Sequence, residues 1–196
     1  MIQIVIQCKM VSESHKWFTG IQNCIRMVYA RTRADPALSD CFDEETLRTF
    51  GLSPDCKVVS RDVSFALSHV QSPVVPVTED FDIVIDSQKV LKDAKYRYTR
   101  RNRGITVSAT GTMVPGTHEV FHIDRLQLFL LDHELYVPHE LVLDTGPIYQ
   151  RYGASPETYP KIELIDPVVR FYGWKKGSLI KITLSGVAEA KYRLVA

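Results

Sequence analysis

The chain has 196 residues, 45% apolar content and a formal net charge of +1. That length suits one large domain or two small ones, and the apolar share is ordinary for a protein that buries a core. Near-neutrality removes bulk charge as an argument for nucleic acid or membrane binding, so any such argument rests on local clusters.

No apolar run approaches the length of a membrane helix. Met1 to Gln7 alternates, which predicts a short strand, and is too short for a signal-peptide core. An intracellular protein is expected. Cys8, Cys24, Cys41 and Cys56 are widely spaced with no C-x-x-C pair. Free thiols are therefore expected rather than a zinc site or a disulfide framework.

Ser12 or Ser14 can cap a helix whose apolar stripe is Trp17, Ile21, Cys24, Ile25 and Val28. Asp43 to Phe50 predicts a second short helix closed by Gly51, and Val63 to Leu67 and Phe81 to Ile85 predict strands. Glu79, Asp80, Asp82 and Asp86 surround the latter strand. Paired carboxylates hold Mg²⁺ in nucleases, but no Glu-x-Lys or Asp-x-Lys follows on an adjoining strand. Solvent-facing charges guarding a sheet edge are expected instead.

Ser87 can cap a helix through Val90, Leu91, Ala94 and Tyr98, and Ile105 to Ala109 predicts the next strand. That order suggests a mixed sheet with helices against it. Between them runs the strongest electrostatic feature, Lys92, Lys95, Arg97, Arg100, Arg101 and Arg103, offset by Asp93 and interleaved with Tyr96 and Tyr98. Such a stretch suits phosphate contacts that read no sequence; a solvated helix face is the plain alternative.

After the break at Met113 to Gly116 comes His118-Glu119-Val120-Phe121-His122, which matches the H-E-x-x-H zinc-hydrolase pattern. That chemistry needs the middle of a long helix. Pro115-Gly116 stands just before the motif, and Ile123 to Leu131 after it reads as strand or mixed apolar sequence. A surface turn is expected, with no metal and no catalytic residue. His133 and His139 lack a second pair at ligand spacing. No glycine-rich phosphate loop or G-x-S-x-G elbow occurs.

Beyond Arg125 the chain turns to short strands and single helical turns, which places a domain boundary near residues 118–128. Ile148 to Tyr152 predicts one such turn, and Ile162 with Leu164 a strand. Asp166 is a good helix N-cap, Pro167 suits the first helical position, and Gly173 can end the turn in the left-handed conformation. Lys175-Lys176-Gly177 predicts a turn. Ile180, Ile182 and Leu184 share a strand face, and Lys191 to Val195 can pair back as the last strand.

The block Asp166 to Ile182 resembles the D-P-V-A-R-Y-Y-G-(L/I)-K-R-G-x-V-V-K-I motif of the family formed by the fifth subunit of eukaryotic nuclear RNA polymerases and its archaeal counterpart. His133-Glu134-Leu135-Tyr136-Val137-Pro138-His139 looks like that family's H-E-L-V-P-x-H with Tyr136 inserted, and Tyr192 to Val195 like its closing Y-R-L-V. The matches stand in order over about residues 130–196. Gly104 to Met113 is similar to a family strand followed by a Gly-Met turn. Trp174 replaces the usual Leu or Ile, and Leu184 to Ala190 is less polar than the family's R-P-S-E-T-A-G.

The resemblance implies an α+β protein. An N-terminal mixed α/β jaw domain over residues 1–125 would precede a small C-terminal α+β assembly domain over residues 126–196. It implies a non-catalytic polymerase subunit without cofactor, small-molecule substrate or membrane, nuclear if eukaryotic. The assembly domain would dock on the large subunits through His133, Glu134, Leu135, Pro138, His139, Asp166, Pro167, Arg170, Tyr172, Gly173, Trp174, Lys175, Lys176 and Gly177. The jaw would lie by downstream duplex DNA, with Lys92 to Arg103 as the phosphate-contacting stretch. The divergent segments suit a paralogue dedicated to one polymerase class, or a viral version. A zinc hydrolase on His118, Glu119 and His122, and a free-standing nucleic-acid-binding adaptor, are the alternatives.

Overall fold

Trp17, Ile21, Cys24, Ile25 and Val28 recur at helical spacing, and in the computed structural model they lie on helix α1, Glu13–Thr32. All five are buried, as are Phe18, Met27 and Tyr29. The structure describes residues 13–32, 74–77, 81–86, 103–153, 155–186 and 189–196. The elements expected at 1–7, 43–50, 63–67 and 87–98 lie outside them, as do Cys8, Cys41 and Cys56. Cys24 is buried and in no disulfide. The chain divides into two compact units, Met1–Tyr29 with Arg33–Leu128, and Phe129–Ala196 with Ala30–Thr32. Helices and small sheets together make the class α+β.

In the first unit a sheet runs in the order β1 (Val74–Pro76), β2 (Phe81–Asp86), β3 (Arg103–Ser108), β4 (Glu119–His122). The β1–β2 pair is antiparallel, and β2–β3 and β3–β4 are parallel, with Ile83 opposite Ile105 and Val107 opposite Phe121. Residues 81–85 and 104–108 are buried on both faces, which accounts for their near-continuous β-branched runs. This corrects one expectation. Asp82 is fully buried, not a solvent-facing edge charge, because β2 has a neighbour on each side.

The buried threonine hydroxyls of this unit are paired. Thr106 Oγ1 lies 2.7 Å from Thr117 Oγ1 and accepts from Val114 N–H, while Thr117 Oγ1 donates to the Val114 carbonyl. These bonds tie the 109–118 loop back over β3, as buried hydroxyls require. The segment Ile123 to Leu131 is not a strand. It forms two 3-10 turns, Ile123–Leu126 and Leu130–Asp132. Ile123 and Leu126 are both buried and stand three apart, the period of that helix. Asn23 donates to the Leu126 carbonyl and Gln127 to that of Lys16. Gly20 lets α1 approach this turn: a Cβ there would meet Ile123 Cδ1 at 2.3 Å.

The second unit holds a sheet in the order β5 (His139–Leu141), β7 (Leu179–Ile182), β8 (Lys191–Val195), β6 (Lys161–Ile162). The β5–β7 and β7–β8 pairs are antiparallel and β6–β8 is parallel. Val169, Ile180, Ile182 and Val195 form one small buried cluster with Val137, Ile162 and Trp174 packed against it, and Tyr159, Phe171 and Leu179 are buried as well. Helix α2 (Gly146–Tyr152) carries Pro147 in its first turn and ends at Gly153, φ 56°. Leu164 does not continue β6. It sits in a turn closed by Asp166 N–H on the Glu163 carbonyl, with Leu164 and Ile165 exposed. Leu184 likewise falls beyond the end of β7.

Candidate partner-docking site

The Asp166 block folds by local chemistry. Asp166 accepts hydrogen bonds from Val168 N–H at 2.8 Å and Val169 N–H at 3.4 Å, capping helix α3 (Pro167–Tyr172). Gly173 ends it at φ 67°, with its N–H on the Arg170 carbonyl and Trp174 N–H on that of Val169. Arg31, which belongs to this unit, donates to the carbonyls of Phe171 and Arg170 at 2.6 and 2.7 Å, where a helix C-terminus leaves acceptors open. Gly177, φ 85°, turns the chain after Lys175 and Lys176 and donates to the Val195 carbonyl.

The His133 segment forms a tight turn. His133 Nδ1 accepts from Leu135 N–H at 3.1 Å, and its carbonyl accepts from Tyr136 N–H at 2.8 Å. Glu134 and Leu135 stand at the tip, with Leu135 77% exposed. Pro138 accepts from Thr183 N–H, and His139 Nδ1–H bonds the Val137 carbonyl, which together start β5. Glu140 then faces Lys181 across the sheet at 3.2 Å.

The structure brings these two segments together through rings. The Tyr136 and Tyr172 hydroxyls are 3.1 Å apart. Tyr172 stacks on Trp174 with centroids 4.5 Å apart and planes at 11°. Phe171 meets Tyr172 and Phe129 edge-on, geometries in which ring pairs attract beyond their burial. Burial, and after it the hydrogen bond to Tyr136, raises the pKa of the Tyr172 hydroxyl. The motif residues therefore divide. Asp166, Tyr172, Gly173, Trp174 and Gly177 build the fold, with Trp174 half-buried against the core. His133, Glu134, Leu135, Pro138, Pro167, Lys175 and Lys176 are exposed, while His139 and Arg170 are half-buried. Sequence reasoning missed Tyr136 as a partner of Tyr172. The signal was present: the inserted residue and the Trp174 replacement are both departures from the family motif, and both touch the same ring.

Of the basic stretch, Arg103 is described. It is exposed at the start of β3 with its guanidinium 5.8 Å from the centroid of the Phe81 ring. Lys92, Lys95, Arg97, Arg100 and Arg101 lie outside the described residues. His118 and His122 stand on a bend and a strand, not on a helix. Strand rise separates residues four apart by about 13 Å, too far to share one metal ion. Each Nδ1 already accepts a backbone N–H, that of Gly104 for His118 and that of Asp124 for His122. Among the described residues no group of three or more His, Cys, Asp and Glu is placed to hold a metal, and no helix is long and apolar enough to cross a membrane.

Residues 129–195 match the family model described as RNA polymerase Rpb5, C-terminal domain. The chain is 27% identical to "DNA-directed RNA polymerases I, II, and III subunit RPABC1" of Caenorhabditis briggsae, over 74% of this chain and 76% of the relative. It is 38% identical to "DNA-directed RNA polymerase subunit Rpo5" of Methanothermobacter thermautotrophicus, over 34% of this chain and 92% of that relative.

Proposed function

The chain belongs to the Rpb5 family of DNA-directed RNA polymerase subunits, which is non-catalytic, and on that premise we propose that residues 126–196 dock it onto the largest subunit of a polymerase. One observation carries this reading. The family motifs are spent on capping and stacking that stiffen two turns, and those turns present Leu135, Lys175 and Lys176 to solvent. Rigid turns hold side chains for a partner without an ordering cost at binding. An exposed leucine between fixed polar neighbours suits the buried centre of an interface.

Residues 1–125 form the jaw in this reading and lie beside downstream duplex DNA. Lys92, Lys95, Arg97, Arg100, Arg101 and Arg103 contact phosphates there without reading bases. The relative from a eukaryote supports a nuclear location. Tyr136 and Trp174, together with the less polar Leu184 to Ala190 segment, support a subunit dedicated to one polymerase class.

Purification of the tagged full chain from its native cells, followed by mass spectrometry, tests this. Large polymerase subunits at equal stoichiometry are expected, and their identity names the class. A chain recovered alone, or one held only by nucleic acid, overturns it.

A further inference from the structure

Tyr152 ends α2, Tyr159 follows the 3-10 turn Pro156–Thr158, and Tyr192 lies on β8. Together with Thr158, Pro160 and Glu189 they line an open groove of about 330 Å³, within the size range of ligand sites. The rings stand as walls and not as a flat floor: Tyr152 and Tyr192 are 5.8 Å apart at 56°, and Tyr149 backs Tyr159 at 5.5 Å and 55°. Tyr152 donates its hydroxyl hydrogen to the Glu189 carboxylate at 2.9 Å, which fixes both side chains.

Tyr159 is 8% exposed, and its hydroxyl has no hydrogen-bond partner among the described residues. An unpaired buried hydroxyl costs stability, against which stands the burial of its ring on Tyr149. The hydrogen bond to Glu189 raises the Tyr152 pKa and burial raises that of Tyr159, so both rings stay neutral and electron-rich at ordinary pH. Arg151 lies 5.7 Å from the Tyr152 ring centroid and does not line the groove. The charge that does line it is the carboxylate of Glu189.

We propose that this groove binds the methylated ammonium group of a lysine side chain on a partner protein. Negative ring faces and one carboxylate complement a cation. The choice of a methylated over a plain ammonium follows from hydration. A plain ammonium is compact and strongly hydrated, and the tyrosine ring faces, Pro160 and Ala190 do not replace the hydrogen bonds it would give up to water. N-methyl groups spread the charge and meet the tyrosine faces and Pro160 without unpaired N–H groups. Glu189, already engaged by Tyr152, supplies the field and not a direct salt bridge.

The test uses the full chain alone and needs no polymerase, so its outcome is independent of the docking proposal. The capped pentapeptide Ala-Ala-Lys-Ala-Ala is titrated in trimethylated, unmodified and acetylated forms, followed by backbone and tyrosine-ring NMR shifts. Saturable binding of the trimethylated form at the groove is expected, with the neutral acetylated form at least about fivefold weaker. Glu189→Gln and Tyr152→Ala change exposed side chains, and each is expected to weaken the trimethylated peptide by about fivefold. No binding, equal binding of the acetylated form, preference for unmodified lysine, or indifference to both substitutions overturns the proposal.

Discussion

Among the described residues the two sheets have the same strand number and opposite means of support. In the first, residues 81–85 and 104–108 are buried without interruption, and even Asp82 and Thr106 lie fully inside. In the second, one small cluster of Val169, Ile180, Ile182 and Val195 is joined by buried Tyr159, Phe171 and Leu179, and exposed positions alternate along β8. The second unit compensates with local devices: an aspartate cap, left-handed glycines and a run of aromatic rings. A sheet buried on both faces draws its stability from apolar area. A small one draws more of it from turn and cap chemistry at named positions.

The largest expected effect lies in the first sheet. Ile83→Ala removes buried branches between β1 and β3 and should cost about 3 kcal/mol, read from denaturant unfolding and from amide exchange confined to the first unit. In the second unit, Gly173→Ala places a Cβ at φ 67° and should cost about 1–2 kcal/mol. Asp166→Ala leaves the N–H groups of Val168 and Val169 without their cap and should cost about 1 kcal/mol. If both cap variants left amide exchange in Phe129–Ala196 unchanged, the contrast between the units would be wrong.

Tyr172 sharpens the contrast through pH. Its folded pKa is raised, chiefly by burial and next by Tyr136. The unfolded tyrosine releases its proton near pH 10, while the folded one holds it. The contribution is therefore whole below about pH 10 and is lost as pH rises toward the folded value. Alkaline titration of the second unit should show this loss. Tyr136→Phe should lower the Tyr172 pKa without returning it to normal, and cost about 0.5–1 kcal/mol at neutral pH. The smallest effect belongs to the Lys16–Asp124 ion pair, whose lysine is half-buried and whose aspartate is exposed. Lys16 holds the Asp124 carboxyl below its usual value, yet Asp124→Asn should change stability by less than about 0.5 kcal/mol, measured against wild type in matched salt.

The same contrast explains which parts were legible in the sequence. Asp166, Pro167, Gly173 and Gly177 act within a few residues of themselves, so their spacing announced the helix and the turns before any fold was known. The α1 stripe was equally readable, because helical periodicity is local. Asp82 was misread because its burial depends on β1 and β3, strands brought beside it by tertiary structure. The two 3-10 turns after His122 were misread because Ile123 and Leu126 fit an apolar strand as well as a three-residue period. The Tyr136–Tyr172 bond joins positions 36 apart, and only the shared departure from the family motif hinted at it.

Incorporating a photo-crosslinking amino acid at Leu135 and irradiating the assembled polymerase tests the central claim most directly. The account predicts one dominant adduct, to the largest subunit, that fades when Lys175 and Lys176 are both changed to Glu. An adduct confined to another subunit, or none in an enzyme that retains the chain, would contradict it.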